Sequence, residues 1–363
     1  MGPLATFSRY VGRQFLLWFL VMMLVLSGII MLFEFVELLR RGGSGGISVA
    51  VAIQMTLLKL PDTVSLLFHL AVLFSAMFTF WRLTRSQELI VARAAGVSAW
   101  QFLLPVVLLA AVIGVAKIAL FNPIAAAMFA RYEVLEDRNI RGISAVLDIS
   151  RGGLWLRQRD EDGISVIHAE RTAPEEILLS NVIVFLYDRD EHYRGRIDAR
   201  EAQLEDGYWD IHDAWVSIDR NRPEFVARHR LPSDLTVERI QDSFASPKTL
   251  SFWDLPDFIE TLEITGFSSL RHRLHYDSLL AQPLLLAAMV LFAASFSLRH
   301  SRHGGTVVMV VTGVLTGFAM FVLNDLVMAL GLAESIPALM AAWTPAGVAT
   351  LLGTATLLHL EDG

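Results

Sequence analysis

The chain has 363 residues, 54% hydrophobic and 18% charged, with a formal net charge of −7 and a mean hydropathy of +0.50. Soluble domains carry about 25% charged residues. A wholly water-soluble enzyme is therefore excluded, and the apolar content excludes a disordered chain. There is no cysteine, so thiol catalysis, disulfides, Cys-ligated zinc and iron–sulfur clusters are excluded as well.

The charges are not evenly spread. Between Arg131 and Arg273 lie 19 basic and 28 acidic residues, 47 of the 67 charges in the chain. This is the pattern of a water-soluble domain inserted into a membrane protein. A hydrocarbon core about 30 Å thick needs about 20 apolar residues in a helix, and six segments qualify. The first is Phe15–Phe33, with no small-residue cleavage site after it, and it reads as a retained span. Ile47–Trp81 is too long for one span and is interrupted by Lys59-Leu60-Pro61-Asp62. Proline disfavours helix in the residue before it. Ile47–Leu60 is thus expected at the interface and Thr63–Trp81 as the second span. The third, Ala99–Phe121, is expected to stop at Asn122-Pro123. Leu279–Leu298, Thr306–Leu330 and Pro337–Leu358 follow the charged insert.

Arginine in the short loops sets the orientation. With the N-terminus inside, Arg9, Arg13, Arg82, Arg85, Arg93, Arg299 and Arg302 are cytoplasmic, and only Arg40 and Arg41 lie in short outside loops. Both termini are then cytoplasmic and the insert lies across the membrane. The insert reads as β-rich. Gly153–Arg157 alternates, as do Asn181–Tyr187, Ile164–His168 and Trp209–His212, with turns at 160–163 and 205–207 between them. Short strands at this spacing predict an antiparallel sandwich or roll. Leu250–Thr265 returns to helical periodicity.

The loop after span two, Arg82 to Ser98, reads as a short cytoplasmic helix capped by Thr84 or Ser86 and ended by Gly96. Composition alone leaves two readings open, a solvated connector or a helix that enters a groove on a cytoplasmic partner. Lys117 near the end of span three either snorkels to the interface or serves function. Gly313 and Gly317 permit close helix approach, within this chain or against another. Asn324-Asp325 fits internal hydrogen bonding or a cavity equally. His272 and His275 fall on the opposite side of the membrane from His300 and His303, so the four cannot form one metal site, and no metal or cofactor is expected. The carboxylates Asp188, Asp190 and Glu191 fall in a turn and read as a solvated loop.

The loop Ser86-Gln87-Glu88-Leu89 to Ala94-Ala95-Gly96 resembles the coupling element of the lipopolysaccharide-export permeases, the LptF/LptG type. The resemblance extends in order along the chain. It takes in Phe35-Val36-Glu37 with Arg40-Arg41, Asp198–Ala202 followed by Trp209, Arg302–Gly305, and Ala341-Ala342-Trp343-Thr344-Pro345 as in the LptG branch. Two departures stand out: Gln87 replaces a usually small residue, and Glu34 replaces a basic residue of some relatives.

The resemblance implies an α-helical membrane protein with six transmembrane helices and an inserted all-β, jelly-roll-like periplasmic domain. Residues 1–125 would hold helices 1–3, with the coupling helix near 84–96. Residues 126–268 would form the β-domain, and 269–363 helices 4–6. It further implies a permease subunit in the bacterial inner membrane, paired with an LptF-like paralogue on a cytoplasmic ATPase dimer. Such a pair would pass lipopolysaccharide to periplasmic bridge proteins with similar β-rolls. The chain lacks a G-x-x-x-x-G-K-[ST] loop, so ATP hydrolysis falls to a partner, and this chain is expected to be no enzyme and to bind no nucleic acid. Glu88, flanked by Arg85 and Arg93, would contact the ATPase. Arg40, Arg41, Lys117 and Arg131 would form a basic ring for the head group, because arginine grips phosphate bidentately. Glu34 is expected to oppose phosphate unless it pairs with Lys117 or Arg40. Gly313 and Gly317 would form a mobile seam against the partner permease. The alternative is a polytopic sensor or scaffold whose β-domain binds a ligand, with an intramembrane enzyme a third reading.

Overall fold

A computed structural model describes residues 3–42, 48–88, 91, 94, 96, 98–137, 139, 146–150, 153–159, 163–173, 178–189, 192–218, 222–233, 246–265, 267–299 and 306–361. In chain order the helices are α1 (Pro3–Gly42), α2 (Val49–Arg85), α3 (Ala99–Ala116), a π-helical turn (Lys117–Phe121) and α4 (Asn122–Glu136). Seven strands follow: β1 (Val146–Ser150), β2 (Gly153–Arg159), β3 (Ile164–Ala173), β4 (Leu178–Tyr187), β5 (Tyr193–Glu205), β6 (Tyr208–Ile218) and β7 (Glu224–Pro232). A short 3-10 turn (Pro247–Thr249) precedes α5 (Leu255–Thr265), α6 (Leu270–Arg299), α7 (Thr306–Leu332) and α8 (Ala338–Glu361). The chain divides into two compact units, one of residues 1–136, 251–253 and 273–363, the other of residues 137–250 and 254–272.

In the helical unit, six helical runs of the described residues are long and apolar enough to cross a membrane. Two expectations are corrected. Pro61 does not split α2, which runs unbroken for 37 residues. A proline inside a helix leaves the carbonyl four residues before it, here that of Leu57, without its N–H, and a helix packed on neighbours tolerates that loss. Nor does Asn122-Pro123 stop the third span. The Asn122 N–H reaches back five residues to the Lys117 carbonyl, closing a π turn. A π turn widens the helix locally and skips a bond in the ladder, so Pro123, which has no N–H to give, passes without ending the helix.

The core of this unit packs Phe15 of α1 with Met77 and Phe80 of α2, Phe102 of α3, Met289 and Ala293 of α6 and Ala349 of α8. Glycines set the closest approaches. A Cβ on Gly114 would lie 2.5 Å from the Pro283 backbone, and one on Gly353 2.8 Å from Leu291 Cβ.

Among the described residues of the other unit, seven strands form one antiparallel sheet and pair in sequence order. The four predicted strands are present as parts of β2, β3, β4 and β6; β1, β5 and β7 complete the meander. The Glu205–Gly207 turn joins β5 to β6, with Gly207 at φ +86°, a left-handed value that glycine adopts without strain. The sheet curls. Gln158 on β2 donates to the Pro232 carbonyl at the end of β7, 2.9 Å, and accepts from Trp209 Nε1 on β6 and from the Ser233 hydroxyl. Strands two and seven are far apart in order, so only a rolled sheet brings them together. Alternate residues Leu154 and Leu156, Val182 and Val184, Trp209 and Ile211 line the inner face. Leu262 of α5 and Phe267 pack on it. The helix expected from Leu250 begins at Leu255, because the 3-10 turn and bends occupy the residues before it.

Candidate functional site

At the end of the helical unit where α1 turns back into α2, ionic groups of three helices form a chain. Glu37 accepts from Arg40 Nε and NH2, both at 2.9 Å, and from Arg41 Nε at 2.8 Å. The spacings of three and four residues put all three side chains on one face of α1. Arg41 also lies 3.9 Å from Glu136 of α4, and Glu136 accepts from the Tyr132 hydroxyl at 3.0 Å. Deeper in, Glu34 pairs with Lys59 of α2 at 2.8 Å, and the Lys59 ammonium sits over the Tyr132 ring, 5.6 Å from its centroid. Arg131, five residues before Glu136 on α4, is exposed.

The structure therefore brings Arg40 and Arg41 together and locates Glu34 against Lys59 rather than against Lys117 or Arg40. Lys117 lies elsewhere. It is not four residues from a helix end, because α4 continues to Glu136, about 28 Å further along the axis at 1.5 Å per residue. Its ammonium does not snorkel. The side chain is 5% exposed, donates to Gln282 of α6 at 2.9 Å and faces the Phe68 ring at 5.2 Å. Lys59, Tyr132, Glu136 and Gln282 escaped the sequence reading. By sequence, Lys59 falls in an apparent helix break, and Tyr132 and Glu136 fall in the charged insert.

The loop after α2 keeps its helical character at Glu88, Val91 and Ala94, and Gly96 turns at φ +86°. Thr84 and Ser86 do not cap its start. Their hydroxyls donate backward to Phe80 and Arg82 carbonyls of α2, at 2.8 and 3.0 Å. The break is at Gln87, which takes φ +60°. That conformation disfavours a residue with a long side chain and fits a position where a small one is expected. The Gln87 carbonyl then accepts from Val91 N–H. Glu88 is half-buried, while Arg85 is exposed and stacks over Trp81 at 5.3 Å. Arg93 lies outside the described residues, as do His300 and His303. Ser98 opens α3 with a capping box closed by Gln101.

Gly313 and Gly317 of α7 face α2 of the same chain. A Cβ there would lie 2.7 Å from Met77 Sδ and 2.2 Å from Leu70 Cδ2. Asn324 is half-buried and Asp325 exposed on α7. His272 packs against Phe258, and Asp188 accepts from His192 N–H in the turn between β4 and β5. The least covered spans are α1 and α7, with 11% and 22% of their apolar windows buried, against 67% for α6. Leu24, Phe33, Val307 and Phe318 are each more than half exposed on them.

Comparison with known proteins adds a likeness that runs nearly end to end. The family model described as lipopolysaccharide export system permease LptF/LptG matches residues 9–359. The chain is 26% identical over 355 residues to the lipopolysaccharide export system permease protein LptG of Escherichia coli K12, covering 95% of this chain and 96% of that one. It is 24% identical to the protein of the same name from Haemophilus influenzae, covering 94% of each.

Proposed function

The chain belongs to the LptF/LptG family of lipopolysaccharide export permeases, and on that premise we propose that it is the LptG-type subunit of an ATP-driven transporter. It takes lipopolysaccharide out of the inner membrane and hands it to a periplasmic bridge. The observation that carries this reading is the family match from residue 9 to residue 359, which spans helices and sheet together.

Three features support the parts. The exposed apolar flanks of α1 and α7 are the surface on which an LptF-like partner permease docks. The interrupted helical turn around Glu88 is the contact with a cytoplasmic ATPase, whose closure it passes to α2 and α3. The rolled sheet, apolar inside and with β1 and β7 at its edges, receives acyl chains and extends edge to edge with similar periplasmic rolls. Arg40, Arg41 and Arg131 meet the head group at the outer rim. Lys117 holds a single anionic group deeper in the unit, and Gly313 and Gly317 let α7 shift along α2 as the gate moves.

Purification in mild detergent, with partner identification and lipid analysis, tests the reading. The complex should contain an ATPase, a second permease and lipopolysaccharide; intrinsic hydrolase activity without an ATPase would overturn it. Glu88→Ala should leave the chain inserted but abolish transport. A charge-assisted hydrogen bond is worth roughly 1.5–3 kcal/mol, so ATPase affinity should fall about ten- to a hundredfold. Arg40→Glu with Arg41→Glu should keep the ATPase and lose bound lipid. Reporters fused at Gly207 and at Gly363 should fall on opposite sides of the membrane.

A further inference from the structure

The rim was expected to be a cluster of cations, and its geometry is that of a neutralised one. Arg40, Arg41 and Lys59 supply three positive charges; Glu34, Glu37 and Glu136 supply three negative ones, each within 4 Å of a cation. Part of the guanidinium surface that would grip a phosphate is already taken: Arg40 spends Nε and NH2 on Glu37, and Arg41 spends Nε on the same carboxylate. The Lys59 ammonium is held between Glu34 and the Tyr132 ring. A phosphate that takes the remaining N–H groups sits beside Glu37 and Glu136, and each further phosphate adds the same like-charge cost. Sugar hydroxyls face no such conflict. They donate to the spare lone pairs of the carboxylates and leave the ion pairs standing.

Resting on the head-group reading above, we propose that Glu34 and Glu136 are specificity-determining residues that tune the rim to a lipid-linked saccharide of low negative charge, carrying one phosphate or none. Arg131, exposed five residues before Glu136 on the same helix, supplies the charge for a single anion. Glu34 removes Lys59 from the set of available cations, and Glu136 offsets Arg41.

The test uses the full transporter complex in nanodiscs and two probes with identical acyl chains, bisphosphorylated and monophosphorylated lipid A. The wild type should hold the monophosphorylated form at least as strongly as the other. Glu34→Gln with Glu136→Gln should shift the binding ratio toward the bisphosphorylated form by about tenfold, the effect of 1.4 kcal/mol. Because the readout is a ratio within one sample, partial loss of folded protein lowers both signals and leaves the ratio unchanged. A wild type that prefers the bisphosphorylated form tenfold, or a double variant with the wild-type ratio, overturns the proposal. A wild type that binds neither lipid overturns the head-group reading itself, and this inference with it.

Discussion

In the sheet unit, the buried amide of Gln158 meets Trp209, Ser233 and the Pro232 carbonyl, three partners drawn from β6 and the end of β7. In the helical unit, threonine hydroxyls such as Thr56, Thr79 and the half-buried Thr350 turn back on their own helix, to Ala52, Ser75 and Ala346, and a few serines reach across, as Ser297 does to the Met77 carbonyl. The difference follows from what lies outside. The sheet rolls around an apolar face in water, and a converging polar network ties one end of the meander to the other. The helices present apolar surface outward, with Leu24 75% exposed and Val307 74%. Their closest contacts with one another fall at small residues that allow backbones to approach, since burial against lipid offers little preference for one neighbour over another. A converging polar network therefore ties the roll together, and the helix contacts rest on close approach at glycines beside a few polar pairs such as Lys117–Gln282.

The largest expected effect would break the sheet side of this contrast. Trp209 is fully buried and its Nε1 holds Gln158. Trp209→Ala should cost about 3–5 kcal/mol, and chemical unfolding followed through other tryptophans should show loss of the sheet before the helices. Next comes the helical side. Gly317→Leu drives a side chain into Leu70 and should destabilise by about 1–3 kcal/mol or separate α7 from α2. The matched control is Gly347→Ala, since a Cβ there meets nothing within 4 Å. That change should stabilise by up to ~1 kcal/mol through helix propensity. If both glycine changes lower the melting temperature alike, close approach is not what docks α7.

The smallest effect separates ion pairing from packing in the roll. Arg228 Nε lies 2.7 Å from Asp210, and this hydrogen bond holds the carboxyl below its usual range. A lowered native value means that the pair stabilises above the unfolded value near about pH 4, and that this part is lost as pH falls through the native value. Asp210→Asn should therefore be less stable than wild type at neutral pH, and the gap should close in strong acid. His229 shows the same sign in a higher pH window and from a different cause. Burial lowers its value, so acidification through about pH 6.5 should destabilise the sheet unit, and His229→Gln should flatten that part of the curve.

Hydropathy located six membrane helices because the spans need only length and apolar content. It could not find their ends, since Pro61 and Pro123 stop a helix in water but are absorbed here, one inside a packed helix and the other beside a π turn. That single misreading displaced Lys117 by most of a span and left Tyr132 and Glu136 outside the site. β5 was illegible for a different reason. Arg194, Arg196, Asp198, Arg200 and Glu201 crowd its sequence, while the residues that carry it inward, Ile197, Ala202 and Leu204, are few.

What the sequence determined by itself is the partition of the chain into apolar spans and a charged β-rich insert, because period and composition are local quantities. It also carried the family, through short motifs in a fixed order. The tertiary structure alone decided that Glu34 meets Lys59, that Lys117 meets Gln282, and that Gly317 lies against Leu70. These pairs are separated by 25, 165 and 247 residues. Which of several possible partners an ion or a glycine takes is settled by how the helices cross, and no local pattern encodes that crossing.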